Sequence, residues 1–456
     1  MEPRKYGLFT AVAMITGIVI GSGIFFKSYN ILVFTGGNVL LGVVIFCLCA
    51  FGIVFGSLAI AQLASRSDKI GGVITYAEQF CSPRIACCFG WFHTFLYYPT
   101  LAAVVSWVAG IYTCTLFGWE NTLERQVLVG LGWMALLFLQ NVLSARLGGY
   151  FQNASTVIKL IPLVLLAAAG LIWGRPGELL ARDLQGTAGS SGWIAAIGAV
   201  AFSFDGWIVS TSIAHEIKDS RRNLPLALLF APLLILAVYI LYFVGVCALL
   251  GPEEIMALGP DHTYYAAQLL LGSGGAKVLL VFIIISVLGT VNGLVLGLLR
   301  MPAALSRRKM LFGAGHFVPA QGRMGASVPS AALSFGVCLL WMGIHYATQR
   351  WGLLPNSDVS EISIAVNYLA YIFLYGAVMR LARSGEISSV WWGYAVPALA
   401  IVGSCFILMG GLSNPLFPWY LCICGAVIAA ALLYYQGHRE AIGAAGEEDP
   451  GSGPAV

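Results

Sequence analysis

Apolar runs longer than a globular core needs recur along the whole 456-residue chain. A helix needs about 20 apolar residues to cross ~30 Å of hydrocarbon. Twelve blocks approach or exceed that length: residues 7–34, 38–64, 84–117, 126–144, 150–174, 192–218, 224–250, 275–305, 328–349, 360–383, 390–411 and 417–436. They do not alternate in short segments, so a lipid-facing β-barrel is excluded. Only 10% of the residues are charged, against about 25% in soluble domains. That shortage excludes a soluble multidomain protein, a disordered chain and a nucleic-acid-coating surface. The sequence predicts an all-α membrane protein with twelve transmembrane helices, a lipid bilayer as its solvent and no nucleic-acid partner. The first block is too long for a cleaved signal peptide and lacks a small-residue cleavage site.

Lys and Arg set the expected orientation. With the N-terminus inside, seventeen of the 24 fall in inside segments and six outside, Lys27 and Lys277 among the six near helix ends; Lys159 is left over. Both termini are therefore expected to be cytoplasmic, in the plasma membrane. Residues 1–436 read as one polytopic domain, and 437–456, rich in Gly, Ala, Glu and Pro, as a disordered cytoplasmic tail. Nearly all of the eleven cysteines lie inside apolar blocks and read as small buried hydrophobes. No metal-ligand spacing is present, and neither a metal nor a cofactor is expected.

Two blocks are unusual inside. The first holds Gly17-Ile-Val-Ile-Gly21-Ser22-Gly23-Ile24-Phe25, and its glycines weaken the helix in mid-span. The sixth holds Phe202-Ser203-Phe204-Asp205-Gly206-Trp207, an acid at membrane depth followed by glycine. Spans one and six are corresponding members of two five-helix halves, about 7–174 and 192–383, with two spans added over 390–436. Discontinuous helices at matching positions of inverted repeats point to a transporter site. The competing reading of Gly17, Gly21 and Gly23 is a small-residue packing face.

A break in span one would leave the N–H groups of Ser22, Gly23 and Ile24 at a positive helix end suited to a carboxylate. The carbonyls of Val19 and Ile20, ending the inner half, would accept from an ammonium. One break thus recognises both charged ends of an α-amino acid. Asp205 is the one acid placed within a span core, where a charge needs a cavity or a partner. It would either contact substrate or cavity water, or cap the second half of span six. Lys159, deep in span five, would serve as a fixed ammonium or proton carrier in a coupling site, or else reach the inner interface. Ser286 and Thr290 share a face of span eight, and one of them could accept from Lys159. His93 reads as a hydrogen-bonded packing residue. Phe202, beside the break, could lie over a substrate, and His215 to Asn223 as a solvated face or an inner gate of ion pairs.

At these residues the sequence resembles the amino acid–polyamine–organocation (APC) transporter superfamily, most closely bacterial members of its L-amino-acid transporter branch. The resemblance rests on Gly21-Ser-Gly-Ile-Phe25, Phe202-Ser-Phe-Asp-Gly-Trp207 and Lys159. It is extended by the run from Glu216 to Pro225 and by Gly289-Thr-Val-Asn-Gly293 followed by Arg300. It implies a LeuT-like fold of five plus five inverted spans, with helices 1 and 6 discontinuous and two more appended. It implies that backbone N–H groups of Ser22, Gly23 and Ile24 bind the substrate carboxylate. Carbonyls of Val19, Phe202, Ser203 and Asp205 would bind the ammonium, with Phe202 as an aromatic gate. Lys159 would occupy the place of a sodium ion, near the Gly17 carbonyl and span eight. The implied activity is sodium-independent exchange of neutral L-amino acids; the alternative is proton-coupled uptake of amino acids or amines, including cationic ones. Animal relatives pair with a glycoprotein through an outside cysteine between spans three and four. Here only Cys114 is near, inside the span, so no such partner is expected.

An intramembrane enzyme would need paired acids, a His cluster or a Ser–His arrangement at depth, and Asp205, His93 and Lys159 are scattered over three spans. A channel or a membrane sensor would carry the same broken helices. Saturable flux with trans-stimulation separates a carrier from both.

Overall fold

The computed structural model describes residues 7–67, 72–185, 192–208, 217–313, 315–317 and 327–447, and these fold into helices joined by turns and short loops. In hydrocarbon every backbone polar group must be satisfied within its own segment, and the helix does this for apolar sequence of this length. Among the described residues, ten helices are long and apolar enough to cross a membrane. They begin with Val39–Ala64 (span two), Pro83–Phe117 (three), Leu123–Leu143 (four), Leu147–Trp173 (five) and Arg222–Leu250 (seven). Val328–Arg350, Val359–Arg383, Trp391–Leu412 and Phe417–Gly437 form spans nine to twelve. Span eight belongs to one longer helix, His262–Arg307, kinked at Gly272, whose φ of 68° suits a residue without Cβ. Span one is a bent pair: Leu8–Val19 and Ser22–Thr35, meeting at 55°. Span six opens with a short apolar helix, Trp193–Phe204, and its remainder beyond residue 208 lies outside the described residues. The twelve predicted blocks thus each meet a helix.

Polar side chains mark the helix starts. Asn38 accepts from the Leu41 N–H, Thr122 from Arg125 and Asp358 from Ser360, each meeting one otherwise orphaned donor. Glycines bring spans together where little hydrophobic drive separates protein from lipid. A Cβ on Gly52 would lie 2.9 Å from Gly403 of span eleven, and one on Gly170 would lie 2.0 Å from the Gly245 carbonyl of span seven. Large apolar side chains such as Ile172, Leu340 and Leu433 are exposed on the outside of the bundle, as a lipid-facing belt requires.

The two ends of the bundle are separately tied. At one, Arg308 bonds Glu78 and Arg66 bonds the Glu386 carbonyl; this is the basic face. At the other, the far face, Arg182 meets Glu253 and Tyr346 donates to Glu124. The tail expected to be disordered from Gly437 instead continues as a helix, Arg439–Glu447. Alanine and glutamate there favour helix, and Glu440 in the first turn suits the helix dipole. Residues 448–456 lie outside the described residues.

Candidate functional site

The helix of span one stops at Val19. Ile20 takes an extended backbone (ψ 113°), and a new helix starts at Ser22 with Gly21 before it and no side chain capping it. The N–H groups of Ser22, Gly23 and Ile24 therefore open a helix without intrahelical partners. The three glycines face three different neighbours. An added Cβ would meet Thr156 of span five at 2.1 Å from Gly17, Thr290 of span eight at 2.2 Å from Gly21, and the Ser203 backbone of span six at 2.5 Å from Gly23. The break and the packing face, read as alternatives from sequence, are both present.

Span six stops beside it. Its helix ends at Phe204, Asp205 is extended (ψ 156°), and Gly206 has φ 99°, a conformation that strongly favours glycine. Tyr239 of span seven joins the two breaks, donating to the Ser203 carbonyl at 2.8 Å and lying 3.5 Å from that of Val19. Tyrosines in apolar spans read as packing or belt residues, and no sequence signal singled this one out.

A cavity of about 450 Å³ lies against both breaks, lined by Val19, Ser22, Gly23, Phe202, Asp205 and Thr290. That is within the size range of small-molecule sites. It continues along span eight past Gly293 and Gly297 to Arg300 and Ala304, toward the basic face. Ile24 and Ser203 are not in its wall; both are buried beside it, and the Ile24 carbonyl accepts from Ser28 at 2.6 Å. The hydroxyl of Ser22 is buried without a hydrogen-bond partner among the described residues.

Asp205 accepts from the Tyr97 hydroxyl at 2.5 Å. Tyr97 sits in a π-helical turn, His93–Tyr97, in mid-span three, the kind of local widening that often marks functional sites. His93, its ring tilted against that of Tyr97 with centroids 5.0 Å apart, bonds Asn367 at 3.0 Å, and Asn367 donates to the Tyr371 hydroxyl at 2.7 Å. His93 is hydrogen-bonded as expected and also lines the cavity. The helix that Asp205 might cap lies outside the described residues, as do His215 and Glu216 of the expected inner gate; Lys218 and Asp219 are exposed.

Lys159 is fully buried and does not reach the interface. It stands at the junction of helices Ala145–Ile158 and Leu160–Trp173, and its Nζ donates to the Gly17 carbonyl at 2.6 Å. The expected bond to span eight is not made. Thr290 Oγ1 turns to the Ser286 carbonyl at 3.4 Å, and Ser286 Oγ is buried without a partner among the described residues.

Two expectations are corrected. Lys27, placed at an outside helix end, is buried to 1% exposure and paired with Asp358 (2.6 Å) and Glu361. Asp205 is therefore not the one buried acid of the bundle, since Asp358 and Glu361 are 1% and 6% exposed. These acids open span ten, where sequence places them at a membrane surface; packing of span one over them removes the water. A second pocket of about 160 Å³ abuts this cluster, lined by Lys27, Asp358, Asn30, Trp107 and far-face loop residues Asn356 and Ser357.

The chain is similar to known proteins in sequence and in fold. The serine/threonine exchanger SteT of Bacillus subtilis is 31% identical over 417 residues, covering 89% of this chain and 90% of its own. The b(0,+)-type amino acid transporter 1 of Mus musculus is 24% identical, covering 95% and 87%. The human large neutral amino acids transporter small subunit 2 is 26% identical, covering 85% and 70%. In fold, the chain is similar to MhsT, crystallised with L-phenylalanine, at a TM-score of 0.57 and 15% identity, over 91% of this chain and 100% of that one. A sequence model of the amino acid permease family matches residues 6–434, and the chain belongs to that family.

Proposed function

We propose that the chain is a sodium-independent exchanger of neutral L-amino acids working by alternating access. Membership of the permease family makes it a membrane transporter of amino acids rather than an enzyme. The observation that carries the finer reading is the pair of helix breaks facing one cavity. There the N–H groups of Ser22 and Gly23, with that of Ile24 just behind the wall, take the substrate carboxylate. Carbonyls of Val19, Phe202, Ser203 and Asp205 take the ammonium, with Tyr239 sharing two of them, and Phe202 closes over the substrate. Lys159 holds the Gly17 carbonyl with a fixed charge where a coupling cation would otherwise be needed. Exchange is the activity named for the Bacillus relative. Both termini are cytoplasmic in this reading, in the plasma membrane, because the face of Arg66, Arg308 and Arg380 carries the excess of basic residues. The chain works without a glycoprotein partner, as Cys114 is buried within span three and no cysteine occurs between it and span four.

Counterflow in proteoliposomes with all twenty amino acids tests the reading. Accumulation of label driven by unlabelled internal amino acid, without sodium, is expected; no counterflow for any of them would sink it. A second reading, proton-coupled uptake extending to cationic substrates, is favoured by the carboxylate of Asp205 in the cavity wall. An imposed pH gradient across empty vesicles separates the two, because accumulation there contradicts obligatory exchange.

A further inference from the structure

Arg300 and Arg308 stand at the end of span eight that approaches the basic face. Arg308 is engaged: it donates to Glu78 at 2.9 Å, to the Thr75 hydroxyl at 3.1 Å and to the Ala304 carbonyl at 3.2 Å. Arg300 is exposed, lines the cavity of about 450 Å³ and has no hydrogen-bond or ion-pair partner among the described residues. Glycines open the way to it. Gly293, Gly297 and Arg300 follow at spacings of four and three on one face of span eight, and all three line the cavity. A Cβ at Gly297 would lie 3.0 Å from the Tyr98 ring, and one at Gly293 would lie 3.5 Å from Gln152 Oε1, so side chains there would narrow the passage.

Gln152 offers this passage a donor, and a chain of amides fixes which end of it is free. Asn141 Nδ2 donates to the Leu137 carbonyl and to Asn292 Oδ1, both at 2.8 Å. Asn292 Nδ2 donates to the Gly148 carbonyl at 3.0 Å and to Gln152 Oε1 at 3.1 Å. Backbone carbonyls only accept, so each amide has one orientation. Gln152, in the cavity wall, is left with an Nε2 that has no partner among the described residues. Thr290, beside the breaks, and Arg300 are ten residues apart, about 15 Å along a helix. One carbon separates the ammonium and carboxylate of an α-amino acid, so a molecule with its carboxylate at Ser22 does not reach Arg300. The cavity is long enough for a second.

We infer that Arg300 forms a second carboxylate site, at the basic-face end of the cavity, which takes an α-amino acid before it enters the breaks or after it leaves them. This rests on the transport reading above. A guanidinium pairs with a carboxylate through two parallel bonds, and its charge draws anions to the mouth of the cavity. Gln152 Nε2 donates to the carboxylate on its way between Arg300 and the Ser22–Ile24 amides. Among the described residues the wall holds no acid besides Asp205, so at this end the carboxylate is the group that is read.

Arg300→Gln and Arg300→Lys are compared in vesicles of both orientations. KM for amino acid entering from the basic face should rise about tenfold in Arg300→Gln, as loss of one charge-assisted bond implies. Arg300→Lys should regain most of that, and the far-face value should stay unchanged. Equal rises at both faces, or no rise, in an exchanging protein overturn the site. A readout independent of flux uses Ala304→Cys, in the cavity wall one turn beyond Arg300, labelled by a membrane-impermeant maleimide over the background of the parent chain. L-alanine should slow the labelling, and L-alaninamide, which lacks the carboxylate, should not. Protection should persist when Gly23→Ala is added, which disturbs the breaks, and vanish when Arg300→Gln is added. Protection that Gly23→Ala abolishes, that Arg300→Gln leaves intact or that alaninamide matches overturns the site, as does no protection at all. The labelling decides whether or not the protein exchanges, and absence of exchange by itself sinks only the proposed function.

Discussion

Gly23→Ala is the sharpest probe of the paired breaks. The added Cβ would lie 2.5 Å from the Ser203 Cα and 3.1 Å from its Cβ and Oγ. Carbon atoms in contact rest about 3.5–4.0 Å apart. The nearest obstacle is backbone and cannot rotate away, so the start of the span-one half-helix and the end of the span-six half-helix must separate by about 1 Å. Overpacking of this kind costs about 1–3 kcal/mol, which a large bundle survives. The site fares worse, because the methyl group moves the Ser22–Ile24 amides relative to the span-six carbonyls. A misplacement of about 1 Å can cost ~10²-fold in rate. Exchange is assayed as uptake of labelled amino acid into proteoliposomes preloaded with unlabelled substrate, with folding checked by size-exclusion profile and thermal midpoint. Uptake should fall to about a hundredth of wild type by that estimate in a protein that still purifies as a single species. Gly132→Ala and Gly343→Ala serve as controls, since a Cβ at either meets nothing within 4 Å. If Gly23→Ala exchanges as fast as these controls, the two breaks do not act as one site.

Lys159→Met strips the Gly17 carbonyl of its donor, and a buried unsatisfied acceptor costs about 1–3 kcal/mol; initial exchange rates should fall at least about tenfold. Tyr239→Phe frees the Ser203 carbonyl of a bond of the order of 1 kcal/mol, so KM should change by about fivefold, read from saturation curves, with a smaller change in maximal rate. Asp205→Asn keeps an acceptor for Tyr97 while removing the charge. Competition assays should show weaker inhibition by cationic amino acids with neutral exchange preserved, and equal inhibition before and after would deny Asp205 any part in reading charge. Replacing sodium by choline on both sides should leave exchange unchanged, measured as initial rate, as the role proposed for Lys159 at Gly17 requires.

The helices were legible because hydropathy is a one-dimensional signal: each apolar block in the sequence met a helix. The break in span one was legible because Gly17, Gly21 and Gly23 crowd about two turns of helix. What the sequence could not reveal was which distant residue each group meets. Tyr97 finds Asp205 across 108 positions, and Lys27 finds Asp358 across 331. Such pairings depend on how spans cross, which hydropathy does not encode. Lys27 did carry a clue: it lies eight residues before Thr35, about 12 Å of helix at 1.5 Å per residue, too deep for an easy reach to the surface. The position of Lys159 against Gly17, by contrast, was expected only through family resemblance.

The two buried lysines divide span one between them. Lys159 holds the carbonyl of Gly17 in the half before the break, and Lys27 ties the half after it to span ten. The glycines divide in the same way, with Gly17 against span five and Gly23 against span six. A rigid span one would transmit any movement of one half directly to the other, and both sides of the site would open or close together. With Ile20 and Gly21 out of the helix, each half answers to its own neighbours. Alternating access needs that independence. The glycines that permit the close contacts therefore also separate them, and a substitution on one side of the break should alter access from one face before the other.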